Sequence, residues 1–524
     1  MTQSFQFLAR RHPAYDELLP HWQFLIDTFE GGPGWLKKHI VRFYKEGDRE
    51  FEDRLKRAYR DNISRDVVEI WSAHTFKVPV TRAEGAPAAV LDFWKRANRG
   101  KDAVSIDDLM REASDKSGAV SPIYLVVDMP AAPRLPEGQV LTQAHAQSLG
   151  LRPYAYIVYP TDVLDFGLDE DDEFTWVLIR EYKRDDEDPF TASGKFRERF
   201  RLWTRTSWHL YEKTGENGPT AYRLVEEGEH PLGRVPVIQL AHKKGPSRYR
   251  AIALTEEIAY KDKAVANFES CLSNVICDQT FSQLAIPDAG LIASTEKNAE
   301  GRREKMIKMG TRRIFLFNDK AQHAPHFLSP DASQGKLILE AIDRLREQIF
   351  EDALLDTEGG QKASRAKTAT EASFDFEKLN SALSEKARGL EAAERQLAEL
   401  VCLWTKTPYE PDDVATWVVY PRRFNVKALA DELQEALTVK QVGDLGPTFW
   451  QRYLEGLVRK LLPDVSDDDF AAIVEEIKQN NQLAQLLTLG AIHEQALGQA
   501  GPLEPGSGIA KAASPAGEDG QHAA

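Results

Sequence analysis

His323 and His326, in the stretch AQHAPHF, are the only closely spaced histidines of the chain and the first place to look for metal or proton-transfer chemistry. No cysteine accompanies them, Asp319 is the nearest acid, and Pro325 excludes the helix that would aim two rings at one ion. They read as surface-loop histidines. Three consecutive acids, Asp467 to Asp469, imitate a cation site, but Ser466 ahead of them marks a helix start whose positive first turn favours carboxylates. Cys271, Cys277 and Cys402 form no C-x-x-C pair and have no histidine at ligand spacing, so reduced, buried thiols are expected. Gly194-Lys195 is followed by Phe196 and Gly335-Lys336 by Leu337, where a P-loop needs the hydroxyl that binds magnesium. Neither G-x-G-x-x-G, H-E-x-x-H nor G-x-S-x-G occurs, and no cluster of acids and histidines suits a magnesium nuclease. The expectation is a chain with no catalytic residues, no metal and no cofactor.

What remains is electrostatic. Arg302, Arg303, Lys305, Lys308, Arg312 and Arg313 gather six positive charges against Glu304 alone. Such a run is usually a solvated face, and it can also dock an acidic partner. A second feature is DTEGGQKASRAKTATEAS, where Lys362, Arg365 and Lys367 follow Gly359 and Gly360, with Asp356 and Glu358 partly offsetting them. On composition alone an ordinary exposed loop is the stronger reading of that stretch. A formal net charge of −15 argues against broad, tight coating of nucleic acid, which rests on many Lys and Arg contacts to phosphate.

The elements that would position these residues follow from hydrophobic period. At 524 residues the chain exceeds what one core usually organises. The longest apolar runs, AYIVYP and YLVVDM, are of strand length, far short of the ~20 residues of a spanning helix. MTQSFQFLARRHPAYDELL lacks the apolar core of a signal peptide, so a cytoplasmic site of assembly is expected. From 15 to about 78 the spacing of Leu18, Leu19, Trp22, Leu25, Ile26 and Phe29 predicts helix, interrupted at EGGPG. IYLVVDMP, YAYIVYP, FTWVLIREY, FRERFRLWT, SWHLYEK and YRLVEEGEH predict one antiparallel meander, with the acidic stretches 169–173 and 185–188 as solvated loops. Helix is expected over 254–284, ended by Pro287, then a strand at 314–317 and helix again over 336–354. Beyond the glycine-containing hinge, Leu379, Leu383, Leu390, Leu397, Val401 and Trp404 form the seam of a helix from about 368 to 404, on the order of 50 Å long. A strand over 417–424, three helices between about 426 and 497 and a low-complexity, disordered tail close the chain. Trp22, Trp71, Trp203 and Trp404 fall on apolar faces and read as core. The fold class is α+β, mainly helical.

The order of these parts resembles the portal proteins of tailed bacteriophages, the ring-forming head-tail connectors at one capsid vertex. The likeness covers about residues 10–478 and is carried by RHPAYDELLPHWQFLIDTFEGG, HPLGRVPVIQL, ILEAIDRLREQIFEDALL, the hinge, and KTATEASFDFEKLNSALSEKARGLEAAERQLAEL, with TATEA the most persuasive piece. The resemblance implies a wing at 1–250, a first stem helix at 251–284, a clip at 285–335 and a second stem helix at 336–355. It further implies a tunnel loop at 356–367, a long wing helix and return strand at 368–424, a crown at 425–500 and a tail at 501–524. It implies a homododecameric ring, without enzymatic activity, through which double-stranded DNA is packaged and ejected. Lys362, Arg365 and Lys367 would then line the bore, Gly359 and Gly360 would let that loop move, and Arg302, Arg303, Lys305, Lys308, Arg312 and Arg313 would lie near docking sites for motor and tail. The implied partners are other copies of the chain, the large terminase subunit, major capsid and scaffolding proteins, and head-tail adaptors, in the virion and in host cytoplasm during assembly. The competing reading is a cytosolic helical scaffold or adaptor with no role in moving DNA.

Overall fold

Helical spacing sets the first layer. In α1 (Tyr15–Glu30) the buried Tyr15, Leu18, Trp22 and Leu25 recur every three or four residues, Asp16 and Glu17 occupy the first turn, and Gly31 ends the helix at φ 68. Helices α2 (Pro33–His39) and α3 (Asp48–Arg57) follow, then α4 (Ile63–Thr75), whose cap Asn62 accepts a hydrogen bond from the Arg65 amide at 3.1 Å. A short strand, β1 (Thr81–Arg82), leads to α5 (Ala88–Lys95) and α6 (Ile106–Ala119), the latter opened by a capping box between Ser105 and Asp108. The helical region thus reaches 119 rather than 78. The computed structural model describes residues 5–44, 46–100, 104–130, 151–186, 188–214, 221–280, 283–288, 314–318, 326–328, 332–355, 369–424, 470, 472 and 473. The chain divides into two units, Met1–Phe424 and Asn425–Ala524, and nearly all described elements belong to the first.

The strands between 123 and 240 fall into two sheets where one meander was expected. β4 (Val163–Leu168), β5 (Phe174–Arg184), β6 (Phe196–Thr204), β7 (Ser207–Thr214) and β8 (Ala221–Glu229) make the antiparallel meander, in chain order. The first two expected strands belong elsewhere: β2 (Ile123–Asp128) lies between β3 (Tyr154–Val158) and β9 (Val237–Leu240), antiparallel to both. The physical reason is visible in β2, buried at every position because α6 and a later helix pack on it, so its sequence shows no alternation of the kind a half-solvated meander strand carries.

A helical hairpin leaves this body. α7 (Ile258–Thr280) is followed by β10 (Gln283–Asp288), β11 (Ile314–Asn318) and β12 (His326–Leu328), and α8 (Ala332–Asp352) returns. The strands form a small mixed sheet ordered β11-β10-β12, with β10 parallel to β11 and antiparallel to β12. The first helix of the hairpin therefore stops at Thr280, and Pro287, expected to terminate it, lies inside β10. α7 and α8 run antiparallel: Lys261 pairs with Asp352, Glu269 with Arg346, and a methyl placed on Gly335 would stand 3.9 Å from Val275 and 4.0 Å from Leu272.

The long helix α9 (Ala369–Thr405) buries Leu379, Leu383, Leu390, Leu397 and Val401 against α4, α5, β2 and β9. Each fully buried leucine contributes about 2 kcal/mol. α10 (Pro411–Trp417) and β13 (Val418–Val419) follow, with β13 pairing back onto β1. The strand expected over 417–424 is thus only two residues long: Pro411 opens a helix that runs through Trp417, and Pro421 has no amide to continue a ladder. The described chain is a mixed α+β fold with more helix than strand, and no described helix is long and apolar enough to cross a membrane. The crown helices expected over 426–497, apart from helical positions 470, 472 and 473, and the tail lie outside the described residues.

Candidate functional site

The hairpin is the feature that a charge-driven role would use, and its base is built from buried ion pairs. Asp262 on α7 is fully buried; its Oδ2 accepts from Arg60 at 2.5 Å, from the Ser64 hydroxyl at 2.6 Å and from the Ser64 amide at 3.0 Å. That saturation is what makes a carboxylate tolerable there, since breaking such a pair typically costs about 3–5 kcal/mol. Two turns farther along, Arg346 of α8 donates to Glu269 and to Asp61, each at 2.8 Å, while burial pushes the Glu269 carboxyl upward against the pull of that guanidinium. The hairpin is clamped to the helical layer on charge as well as on apolar contact.

The same body fixes the point from which residues 356–368 depart. Trp71 of α4 donates its indole N–H to the Ala353 carbonyl at 2.8 Å. Beyond it, Leu354 adopts φ 58, the Leu355 amide bonds the Phe350 carbonyl at 2.9 Å and the Leu354 amide bonds Glu351 at 3.0 Å. This is a Schellman cap with leucine in the position that normally takes glycine, and Leu355 is buried. On the far side, α9 is held by charged groups inside its apolar face. Glu394 receives Arg82 at 2.6 Å and the Tyr420 hydroxyl at 2.7 Å; Glu391 receives Arg422 at 2.7 Å and the Tyr420 amide at 2.9 Å. Lys386, buried among α4 and α6, donates to the Ser114 carbonyl at 3.0 Å, and burial lowers its pKa to about 8. Asp115 and His242 lie near it, the carboxyl pushed up and the imidazole pushed well down, both by burial.

The expected site residues Gly359, Gly360, Lys362, Arg365 and Lys367 lie outside the described residues, as do Arg302, Arg303, Lys305, Lys308, Arg312 and Arg313. What is described is their setting: Leu355 and Ala369 bracket the first group, and the parallel strands β10 and β11 bracket the second. His326 is in β12 and His323 is outside the described residues. Among the described residues no group of three or more His, Cys, Asp or Glu side chains could hold a metal ion. The cleft of α9 lined by Glu377, Ser381, Glu385, Arg388 and Arg422, about 480 Å³, is open and polar. Cys402 is buried, its thiol pushed up to about 11, and Cys271 and Cys277 are half-buried free thiols. Trp22, Trp71 and Trp203 are core, and Trp404 is half-buried with its N–H on the Val127 carbonyl at 3.1 Å. No protein-family model matches the chain, and no curated protein is found similar to it.

Sequence reading passed over Asp262, Lys386, Glu391 and Glu394, all buried. The signal was present: Glu394 stands four residues after Leu390 and three before Leu397, in the middle of the α9 seam. A charge at such a position announces a buried partner.

Proposed function

We propose that this chain is the subunit of a portal ring: a homo-oligomeric conduit at one capsid vertex through which double-stranded DNA enters and leaves. The observation that carries the reading is the antiparallel pair α7–α8, with a three-stranded sheet at one end and, at the other, a capped exit at Leu355 leading through 356–368 into the buried helix α9. In this reading α7 and α8 form the stem, 285–335 the clip, 356–367 the tunnel loop, the helical layer with both larger sheets and α9 the wing, and 425–500 the crown. Rigid anchors on both sides of a short basic loop suit a moving charged rod, because the loop can follow DNA without disturbing the wall that carries it. The acidic balance of −15 suits a bore that must not hold its cargo, and a few basic loops repeated around a ring brush phosphates weakly under physiological screening. The clip cluster 302–313 is the surface offered to the packaging motor and later to tail-joining proteins, while the ring as a whole meets capsid and scaffolding proteins.

Images of the purified full-length chain by electron microscopy, with native mass measurement, test this. Closed rings with a central hole, twelvefold in mass if the family pattern holds, are expected; in the scaffold-protein alternative only monomers and dimers form under every assembly condition, and that result overturns the portal reading.

A further inference from the structure

The turn between α2 and α3 carries the most exposed aromatic pair near the hairpin: Tyr44 is 98% exposed and Phe43 46%, beside Val41 at 54%. Such side chains on a loose loop would mean little, but this turn is fastened. Arg54, 1% exposed, donates to both Glu46 carboxylate oxygens at 2.8 Å, to the Val41 carbonyl at 2.7 Å and to the Ser270 hydroxyl at 2.8 Å, and its guanidinium lies 4.2 Å from the Phe43 ring centroid. The Val41 amide is bound by Asn267 of α7 at 2.8 Å. The fold thus holds Val41 and Phe43 in place and leaves Tyr44 in solvent beside them, an aromatic surface on a fastened backbone of the kind that binding hot spots use.

Helix geometry says where the matching surface lies. α7 meets the α2–α3 region through Ala266, Asn267 and Ser270, and meets α8 through Lys261, Glu269 and Leu272. At about 100° per residue these two sets point in nearly opposite directions, roughly 160° apart. α7 therefore stands between the turn and α8, and the outer face of α8, opposite the side on which Arg346 and Ala353 meet Asp61, Glu269 and Trp71, is turned away from the turn. That face exposes Leu337 and the acids Glu340, Asp343, Glu347 and Glu351 against two cations, Lys336 and Arg344, while Ile342 and Ile349 are buried toward α7. The opposite side exposes Lys37, Lys38, Arg42, Arg49, Lys56 and Arg57 against Asp48, Glu50 and Glu52.

We infer that the turn carrying Val41, Phe43 and Tyr44 docks on the outer face of α8 of a second copy of this chain. The two faces are complementary in charge, each offers apolar surface, and their placement on opposite sides of α7 makes the contact head-to-tail, the kind that repeats and closes into a ring when the rotation allows. The inference rests on the ring reading for closure, and it names the surface through which neighbours meet.

The test places a photoreactive benzophenone amino acid at position 44 of the full-length chain, mixes isotopically heavy and light chains, and maps cross-links by mass spectrometry. Mixed-isotope links from position 44 to residues 332–352 are expected, together with at least a tenfold rise in the half-assembly concentration for Tyr44→Glu, a substitution at a site too exposed to disturb folding. Rings that form with position 44 linked elsewhere, or that assemble equally well with Tyr44→Glu, overturn this contact and leave the portal reading standing. Absence of any assembly removes both.

Discussion

Lys386 shows how a single side chain can work against the stability of the helix that carries it. Its fall from 10.5 to about 8, at about 1.4 kcal/mol for each tenfold change in proton affinity, amounts to about 3 kcal/mol of unfavourable burial of charge. Because the unfolded chain holds this proton more tightly than the folded one, the penalty is complete below pH 8 and lifts as pH rises from about 8 toward 10.5. Replacing it by an apolar side chain of similar length removes the penalty. Lys386→Met is expected to raise the urea midpoint at pH 7 by an amount equivalent to about 1–3 kcal/mol with the denaturant slope unchanged, and the advantage over the parent is expected to shrink above pH 9. A lysine kept at such a cost, beside Asp115 and His242, was legible in the sequence only as one charge among many on a long helix.

At the scale of elements, the hairpin and the long helix are both closed by residues that sequence rules would not choose. Leu354 and Lys406 adopt φ 58 and 52, and the amides after them complete the same pair of bonds: Leu355 to Phe350 and Thr407 to Cys402, each at 2.9 Å. A non-glycine residue in that conformation costs about 1–2 kcal/mol. Lys406 is exposed and has little packing to lose. Lys406→Gly is therefore expected to stabilise the protein by about 1 kcal/mol, read as a rise of a few degrees or less in the calorimetric midpoint; a fall would mean that the lysine side chain makes a contact of its own. The link 356–368 is marked in the sequence by its glycines and charge, whereas the caps at Leu354 and Lys406 carry no such mark. Loop composition is written in a few residues, but a cap can be forced by the packing of whatever follows it, here the buried Leu355.

For the whole molecule, the proposal turns on what an acidic ring does with a basic loop. Changing Lys362, Arg365 and Lys367 together to Ala removes three positive charges per subunit, and the anchors Trp71, Ala353 and Leu355 that hold the segment's departure point are untouched. Ring assembly is expected to be unchanged by microscopy, with packaged or retained DNA lowered several-fold at low salt and the difference from the parent shrinking as salt is raised. Equal packaging by parent and variant would reduce the loop to a spacer. The measurement separates a wall element from a working one, because the anchors and the charges lie on different residues.

Local period determined much of this protein: the helices of the hairpin, the long helix with its leucine seam, the strand character of 174–229 and the basic, glycine-bearing link are all consequences of residues close together in sequence. Partnership was decided by the tertiary structure. The pairing of β2 with β3 and β9 rather than with the meander, the closure of β1 on β13 and the burial of Asp262 against Arg60 join residues far apart in the chain. A pattern of apolar side chains says which face of an element will be covered and is silent about what covers it, since any apolar surface of the right shape would satisfy it equally. Charged groups inside those faces obey the opposite logic: each needs one particular partner, and only the folded chain brings that partner within reach.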